Sequence, residues 1–400
     1  MSPDEDLLDS VATATDRCAY RIWGFGVGPA LAGLVRAGSA LKRPELVDGA
    51  AERVAPALHR DPDPTDHLIP VEALVELRRE MDVTPALERF RAAVLDATRP
   101  VPGRPCVHRP DLPRWSSTIW VDCMHTDGPG LALLGDTTAA VRVTREAATA
   151  LQRPDGLFDH GYDVATGEGN GVAWGRGQGW ALLGLVGTLL RATDAELAVR
   201  LEMLVTALAS VEYDGHWHTV VDHAAAPVEM STSAYVALAV DAAVDAGLVD
   251  PSHRAMADRA LAAAVDATAD GVLPVSDATP VGKAEEYYDR PLGSHPWGQG
   301  PLLLALLDRA QELRTEPEVG AATPVGPGRA SPRHLPEVSD EAGAWRNRAQ
   351  ELRNEPEVGA ATPVGPGRAS PRHLPEVSDE AGAWRNRAQE LRNRAEREEP

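Results

Sequence analysis

Residues 174–190 read WGRGQGWALLGLVGTLL, a glycine-rich heptad that opens an apolar run with the spacing of a helix. Glycines at alternate positions of the heptad let backbone and ligand approach closely. Arg176 offers a planar fork of five donors, and the two tryptophans offer flat apolar faces. Two interpretations remain open at this point. The heptad is either a surface for a polar, partly anionic ring such as a sugar acid, or a glycine-rich turn with two core tryptophans.

Helical periodicity extends from this stretch through most of the chain. It predicts twelve helices, at 5–17, 24–37, 44–58, 68–80, 84–97, 119–134, 136–152, 177–192, 194–212, 230–247, 251–268 and 298–314. Thr193 and Glu196 have the spacing of a capping box, and Asp250 before Pro251 predicts a cap with a first-turn proline. No alternating Val, Ile and Thr run is long enough to seed a sheet.

The connections between these helices alternate in length. This alternation predicts an all-α fold of helical hairpins closed into a ring, a double-layered α/α barrel, with the long loops gathered over one end. A solenoid of helical pairs is the structural alternative, although no repeat period runs through this region. Residues 1–314 are therefore predicted to form one barrel domain.

The chain after residue 314 is a tandem repeat. A 39-residue unit begins at Glu316 and recurs from Glu355 without a single change. Each copy is rich in Pro, Gly and charged residues and poor in apolar ones, a composition that cannot bury a core. Residues 315–400 are predicted to be a mostly disordered tail.

Charge and cysteine content exclude several classes of partner. The net charge is −21, so nucleic acid is not expected, because phosphate binding needs a basic surface. No apolar run approaches the ~20 residues of a membrane span, and the acidic N-terminus lacks a signal-peptide pattern. Three cysteines without metal-site spacing suit a reducing compartment. We expect a cytoplasmic monomer or homodimer that needs no metal or cofactor.

Tryptophan is over-used relative to the other aromatic residues. The chain holds nine Trp but only six Tyr and three Phe. Seven tryptophans precede residue 300, and most lie at the edges of apolar runs beside Gly, Pro, Asp or His: Trp23, Trp115, Trp120, Trp174, Trp180, Trp217 and Trp297. That placement suits stacking platforms, because an indole joins an apolar face to a hydrogen-bonding edge.

Two aspartates are candidates for proton transfer. Asp122 lies in TIWVDC (118–123), two residues beyond Trp120. A carboxyl group beside indoles is partly desolvated, which suits it to donate a proton near neutrality. Asp66 lies in Asp66-His67, after DPDPT, where an apolar run begins. A helix N-cap is the structural alternative for both, and it is the stronger explanation for Asp66.

Loop histidines are the remaining candidates. His160 is central to DGLFDHGYD (155–163), and His108 lies in CVHRPDLPRW (106–115). His216 and His218 suggest a metal site, but no third ligand follows at a convincing spacing. A P-loop, a serine-hydrolase elbow, a dinucleotide fingerprint and a CxxC pair are all missing from the sequence.

In their order and spacing, these motifs resemble the unsaturated glucuronyl and unsaturated rhamnogalacturonyl hydrolases, glycoside hydrolase families 88 and 105. The resemblance covers residues 20–305 and rests on Asp66, His108, WVD at 120–122, DGLFDH at 155–160, WGRGQGW at 174–180 and the Trp217–Ser233 pattern. It implies a six-hairpin α/α barrel. It also implies removal of a Δ4,5-unsaturated uronic acid from the non-reducing end of lyase-generated oligosaccharides.

The resemblance further implies a role for each matching residue. The enzymes protonate C4 of the vinyl ether, water adds at C5, and the resulting hemiketal opens and expels the aglycone. Asp122 would be the general acid and base, and Asp66 the second carboxylate. The matching substrate contacts are Trp23, His108, His160, Trp174, Arg176, Gln178 and Trp180.

Two departures from the family pattern leave the substrate class open. Met124-His125-Thr126 replaces residues that are often large and apolar in the family, and the region after Tyr287-Tyr288 is short. The alternatives are a sugar epimerase of the N-acylglucosamine 2-epimerase type, which would use paired histidines, and a non-catalytic protein that binds sugar acids on the same barrel.

Overall fold

All twelve predicted helices are confirmed. The computed structural model describes residues 3–20, 24–96 and 106–315. Within these ranges the helices are α1 (Pro3–Asp16), α2 (Gly28–Ala40), α3 (Pro44–Leu58), α4 (Val71–Leu77), α5 (Thr84–Leu95), α6 (Cys123–Leu133), α7 (Thr137–Leu151), α8 (Gly175–Leu189), α9 (Ala195–Ser210), α10 (Ser231–Asp245), α11 (Arg254–Asp266) and α12 (Pro296–Thr315). Short 3₁₀ turns lie at Phe25–Val27, Asp66–Leu68, Pro251–His253 and Ala284–Tyr287. The repeats from residue 316 onward lie outside the described residues.

The helices form two concentric layers. The even-numbered helices make the inner ring, in which each packs against the next and α12 packs against α2 to close the circle. The odd-numbered helices lie outside, each against an inner neighbour. This arrangement is a six-hairpin α/α barrel and confirms the predicted fold.

Small residues on α8 allow the inner helices to pack closely. A Cβ at Gly179 would overlap the ring of Tyr235 on α10, and one at Gly184 would overlap the Met124 carbonyl of α6. The heptad glycines therefore bring helices together, whereas the sequence suggested that they make room for a ligand. The core around them is built mainly from Ala, Leu and Val.

Five short strands correct the expectation that no sheet would form. Strands β1 (Thr118–Trp120), β2 (Gly161–Asp163) and β3 (Glu168–Gly169) form an antiparallel sheet in that order. Trp120 lies opposite Gly161 in its register. Strands β4 (Val275–Ser276) and β5 (Leu292–Gly293) form a separate pair. Ladders of two or three residues are too short for a recognisable alternation, and all five lie in the long connections.

One of the two predicted helix caps is wrong. Asp194, rather than Thr193, caps α9 by accepting a hydrogen bond from the Leu197 amide at 3.0 Å. Glu196 instead forms an ion pair with Arg200, at 2.9 Å. Asp250 caps its 3₁₀ turn as predicted, through the Ser252 amide at 2.9 Å. No helix within the described residues is both long and apolar enough to cross a membrane.

Candidate active site

Asp122 lies where β1 runs into α6, at the entrance to the inner ring. It occupies the N-cap position of α6, but its side chain makes no capping hydrogen bond. The residue is only 2 % exposed, and its Oδ2 lies 3.2 Å from Nε2 of His160. Asp122 therefore does not cap the helix with its side chain. Its carboxyl group lies against His160 instead.

A tyrosine fixes the tautomer of His160. The Tyr287 hydroxyl lies 2.6 Å from His160 Nδ1. That hydroxyl oxygen accepts hydrogen bonds from the Gly282 amide at 3.3 Å and from Asn170 Nδ2 at 3.5 Å. Its own proton is thus directed at Nδ1, and the imidazole carries its hydrogen on Nε2. His160 therefore donates a hydrogen bond from Nε2 to Asp122.

Aromatic rings enclose this pair. The Trp174 ring lies 4.3 Å from the His160 ring, centroid to centroid, and Trp120 lies 5.3 Å from it. His108 stacks on Trp120 at 4.1 Å, with an interplanar angle of 15°. Burial lowers the pKa of His108 to about 3, against the opposing charge of Asp122. His108 is therefore neutral at every pH at which the protein is expected to work.

Several buried donors around the pair have no partner among the described residues. They are Nε1 of Trp120, Nε1 of Trp174, Nε1 of Trp180 and the hydroxyl of Tyr235. Trp180 packs on Tyr235 with ring centroids 4.8 Å apart. Burial raises the pKa of Tyr235, and the nearby Asp122 carboxylate raises it further. Unpaired buried donors are costly, and a ligand with several acceptor oxygens would satisfy them.

Arg176 is buried between indoles and already hydrogen-bonded. Its guanidinium lies 4.6 Å from the Trp174 ring and 5.6 Å from the Trp297 ring. It donates to the carbonyls of Ser276 and Asp277, each at 2.9 Å. Burial lowers the pKa of Arg176, while the charge of Glu229 raises it. The side chain joins α8 to the β4 segment, and no hydrogen bond reaches Asp122.

Glu229 completes this buried ion pair. Its Oε1 lies 3.6 Å from Arg176 Nη1 and accepts a hydrogen bond from the Ser276 amide at 2.9 Å. The Ser231 hydroxyl donates to its other oxygen. The sequence singled out the segment around Glu229 but assigned it no role, because the pairing with Arg176 is long-range.

Gln178 has a structural role. Its amide group donates to the carbonyls of Phe158 at 2.8 Å and Trp174 at 3.0 Å, and its oxygen accepts from the Phe158 amide at 2.8 Å. The two hydrogen bonds to Phe158 hold the 155–163 loop against α8. Gln178 thus positions the loop that carries His160.

Asp66 lies in a 3₁₀ turn that packs against α6, and its carboxylate is bound by arginines. It is 2 % exposed in a 3₁₀ turn, and it forms ion pairs with Arg60 and, at 3.5 Å, with Arg89. It also accepts from the Asp63 amide at 3.0 Å. Among the described residues, it shares no hydrogen-bond or ion-pair partner with Asp122.

Four residues singled out by the sequence remain: Trp180 and Trp23 as predicted substrate contacts, and His216 and His218 as a possible metal pair. Trp180 stacks on His125, with centroids 5.1 Å apart, and meets Phe25 edge-on at 5.7 Å. Trp23 lies outside the described residues. The Nδ1 atoms of His216 and His218 lie 2.7 Å and 2.6 Å from backbone carbonyls, which explains both as loop histidines.

A cavity of about 280 Å³ opens beside the β1–β2 ladder. Its wall includes Trp115 and Gly161, together with Asn170, which contacts the Tyr287 hydroxyl. A larger cavity of about 530 Å³ lies away from these residues, against α1, α2, α4 and α12. The smaller cavity is therefore the opening next to the candidate site.

Tyr287 and Phe25 are further site residues whose roles sequence reasoning missed. Tyr287 reaches His160 from a position 127 residues later in the chain. Phe25 meets the His108 ring edge-on at 5.3 Å. The over-use of Trp drew attention away from the few Tyr and Phe residues. The short spacing between Trp23 and Phe25 was the one available signal.

A six-hairpin barrel with a buried carboxylate among indoles at one end is the architecture of a class of glycoside hydrolases. The family model described as Glycosyl Hydrolase Family 88 matches residues 20–313. The chain belongs to this family, and this membership supports the assignment of the protein as a hydrolase. No curated protein matches the chain.

Solved structures show the same fold. A possible member of the GH105 family from Klebsiella pneumoniae is 21 % identical, with a TM-score of 0.67, and the match covers 78 % of this chain and 94 % of that one. The unsaturated glucuronyl hydrolase from Bacillus sp. GL1 is 16 % identical, with a TM-score of 0.61, covering 77 % and 97 %. A family 105 glycoside hydrolase from C. acetobutylicum is 19 % identical, with a TM-score of 0.64, covering 78 % and 100 %.

Proposed function

We propose that the protein removes a Δ4,5-unsaturated uronic acid from the non-reducing end of oligosaccharides produced by polysaccharide lyases. Family membership supports glycoside hydrolysis, and one solved neighbour is named as an unsaturated glucuronyl hydrolase. The observation that carries the proposal is the state of Asp122. Its carboxyl group is buried, is not used as a cap, accepts a hydrogen bond from His160 and lies beside unpaired indole donors.

Asp122 acts first as the acid. Its carboxyl proton is transferred to C4 of the vinyl ether, and positive charge develops at C5 and the ring oxygen. The hydrogen bond from His160 stabilises the carboxylate that this step creates. Since Asp122 is buried, a bound sugar shields the reacting bond from bulk solvent.

Asp122 then acts as the base. A water molecule adds to C5 and gives its proton to the carboxylate, which restores the acid. The C5 hemiketal opens by breaking its bond to the ring oxygen, and the aglycone leaves from C1 as an alcohol. One water is consumed and one glycosidic bond is lost, so atoms and charge balance without a cofactor.

The remaining residues support this centre in different ways. Trp174, Trp180 and His108 shape the pocket wall, and the unpaired indole donors bind sugar oxygens. Arg176 supplies positive charge near the uronate carboxylate while it holds the β4 segment. Asp66 serves as a second carboxylate at a distance, where its ion pairs with Arg60 and Arg89 hold the adjoining turn.

To test the proposal, the protein is incubated with Δ4,5-unsaturated disaccharides while the ultraviolet absorbance of the double bond is followed. The masses of the products are then measured by mass spectrometry. We expect loss of the chromophore, one added water and a released aglycone. An epimerase would leave the chromophore intact and interconvert saturated sugars. A binding protein would show saturable affinity without turnover. Either outcome would overturn the proposal.

A further inference from the structure

A cluster of three buried side chains lies behind the candidate site and takes no part in the proposed reaction. His67 comes from the 3₁₀ turn, Cys106 from the connection before β1, and Asp127 from α6. One ligand atom from each lies within 4.8 Å of the other two. His67 Nδ1 and Asp127 Oδ1 are 3.2 Å apart. The residues are far apart in sequence, so no spacing rule could reveal the cluster.

Asp127 carries a buried charge with little compensation. It is 4 % exposed, and its partners are His67 and the hydroxyl of its neighbour Thr126, 3.2 Å away. No lysine or arginine forms an ion pair with it in the part of the chain that the structure describes. Burying a carboxylate is costly unless a cation accompanies it.

His67 adds a second, independent observation. Its Nε2 atom is buried and has no hydrogen-bond partner among the described residues. The ring is therefore held by Asp127 at one nitrogen and unsatisfied at the other. A cation bound between Asp127 and the His67 ring would supply the positive charge that the buried Asp127 carboxylate lacks.

We propose that His67, Cys106 and Asp127 bind a divalent metal ion, with Zn²⁺ the best match. A mixed nitrogen, sulfur and oxygen donor set suits zinc, whereas Mg²⁺ and Ca²⁺ prefer oxygen alone. Tetrahedral zinc, with bonds of about 2.0 to 2.3 Å, places its ligand atoms roughly 3.3 to 3.6 Å apart. The His67–Asp127 separation of 3.2 Å is close to this spacing. The Cys106 sulfur lies within 4.8 Å of both atoms and would have to move by at most about 1.5 Å.

The site would be structural. It joins the turn of His67, the segment of Cys106 and the first turns of α6, the helix that Asp122 precedes. Three protein ligands leave one tetrahedral position, which a water molecule can fill. This proposal does not depend on the proposed function, because it concerns residues that do not touch Asp122.

The experiment uses untagged full-length protein stripped with a chelator and reloaded with Zn²⁺ or Co²⁺. Mass spectrometry of the dialysed protein should give one Zn²⁺ per chain. Co²⁺ should add a thiolate-to-metal charge-transfer band in the near ultraviolet. Cys106→Ser should abolish that band, and it should weaken Zn²⁺ binding at least about 100-fold. Cys18→Ser is the matched control, since Cys18 bonds to Ser294 outside the cluster, and it should behave as the parent does.

Asp127→Asn provides a second variant of nearly the same shape in case Cys106→Ser does not fold. It should bind Zn²⁺ at least about 10-fold more weakly, with an unchanged near-ultraviolet circular dichroism spectrum. The proposal is overturned if the parent retains no stoichiometric Zn²⁺. It is equally overturned if Cys106→Ser keeps the charge-transfer band, or if Asp127→Asn binds as tightly as the parent.

Discussion

Asp122 and Asp66 are equally buried, each 2 % exposed, but their surroundings are opposite. Asp66 forms ion pairs with Arg60 and Arg89 at the edge of a 3₁₀ turn. Asp122 has His160 as its hydrogen-bonding partner and lies among indoles with unpaired donors. A carboxylate paired with guanidinium groups holds structure together, whereas one that is hydrogen-bonded to an imidazole and has no guanidinium partner can exchange a proton. Burial alone does not identify a catalytic acid, but the partners of the buried group do.

The largest effect is expected at Asp122. Asp122→Asn should lower kcat by about 10³-fold or more, because the amide can neither donate an acidic proton nor accept one from water. Calorimetric titration with an unsaturated disaccharide should show that the dissociation constant changes by only a few-fold. If affinity fell about as much as kcat, or if the melting temperature fell, Asp122 would be assigned to binding or to stability. Its role would then no longer differ in kind from that of Asp66.

Asp66 should show the complementary behaviour. Asp66→Asn should lower the free energy of unfolding by about 3 kcal/mol, since it leaves Arg60 and Arg89 partly buried without the carboxylate that neutralises them. Below the new melting temperature, kcat should fall less than about 10-fold. Urea unfolding curves of the parent and variant give the first quantity. An Asp66→Asn protein of parental stability that has lost all turnover would make Asp66 the acid.

Tyr287 tests how the Asp122 region is held. Tyr287→Phe removes the proton donor to His160 Nδ1 and leaves that buried nitrogen without a partner, which costs about 1 to 3 kcal/mol and should lower kcat roughly 10- to 100-fold. Tyr288→Phe is the matched control, because Tyr288 contacts His223 instead. Parental kcat values in both variants would contradict the role of Tyr287.

The smallest effect is expected for substitution of His108, and it tests whether water is excluded from the region around Asp122. Burial holds the pKa of folded His108 at about 3, below its ordinary value of 6.5. As the pH falls below 6.5, the unfolded chain takes up a proton at this histidine and the folded chain does not. The contribution of His108 to stability is thus fully present above pH 6.5. It is lost at up to about 1.4 kcal/mol per pH unit on acidification toward pH 3.

His108→Gln removes this titration. Unfolding free energies at pH 7, 6 and 5 should therefore fall less steeply with acidification in His108→Gln than in the parent. If the unfolding free energies of the two proteins fell equally steeply with acidification, His108 would be hydrated in solution. Water would then reach the region around Asp122 more readily than the packing indicates.

Local patterns were enough to predict the barrel. Each helix is marked by its own apolar spacing, as in the run from Ala181 to Leu190, and alternate loop lengths imply hairpins. Asp122 could be predicted because Trp120 precedes it in the same segment. The short strands could not be predicted, because they form by pairing between loops and their own sequences carry no strand pattern.

The partners of the polar residues were beyond local reasoning. Arg176 donates to carbonyls about a hundred positions away, and Gln178 binds the backbone of Phe158. Nothing near either residue reveals that its donors are already occupied. Asp66 likewise meets Arg89 only once α5 folds against its turn. Residue types predicted where polar groups gather, but only the fold determines which of them stay available.

The contrast between the two aspartates is tested most directly by the initial rate of chromophore loss from one unsaturated disaccharide. The parent, Asp122→Asn and Asp66→Asn are compared at a temperature at which all three are folded. We expect Asp122→Asn to retain about a thousandth of the parental rate, and Asp66→Asn to retain at least about a tenth. Equal losses in the two variants, or a larger loss in Asp66→Asn, would contradict the assignment of Asp122 as the acid.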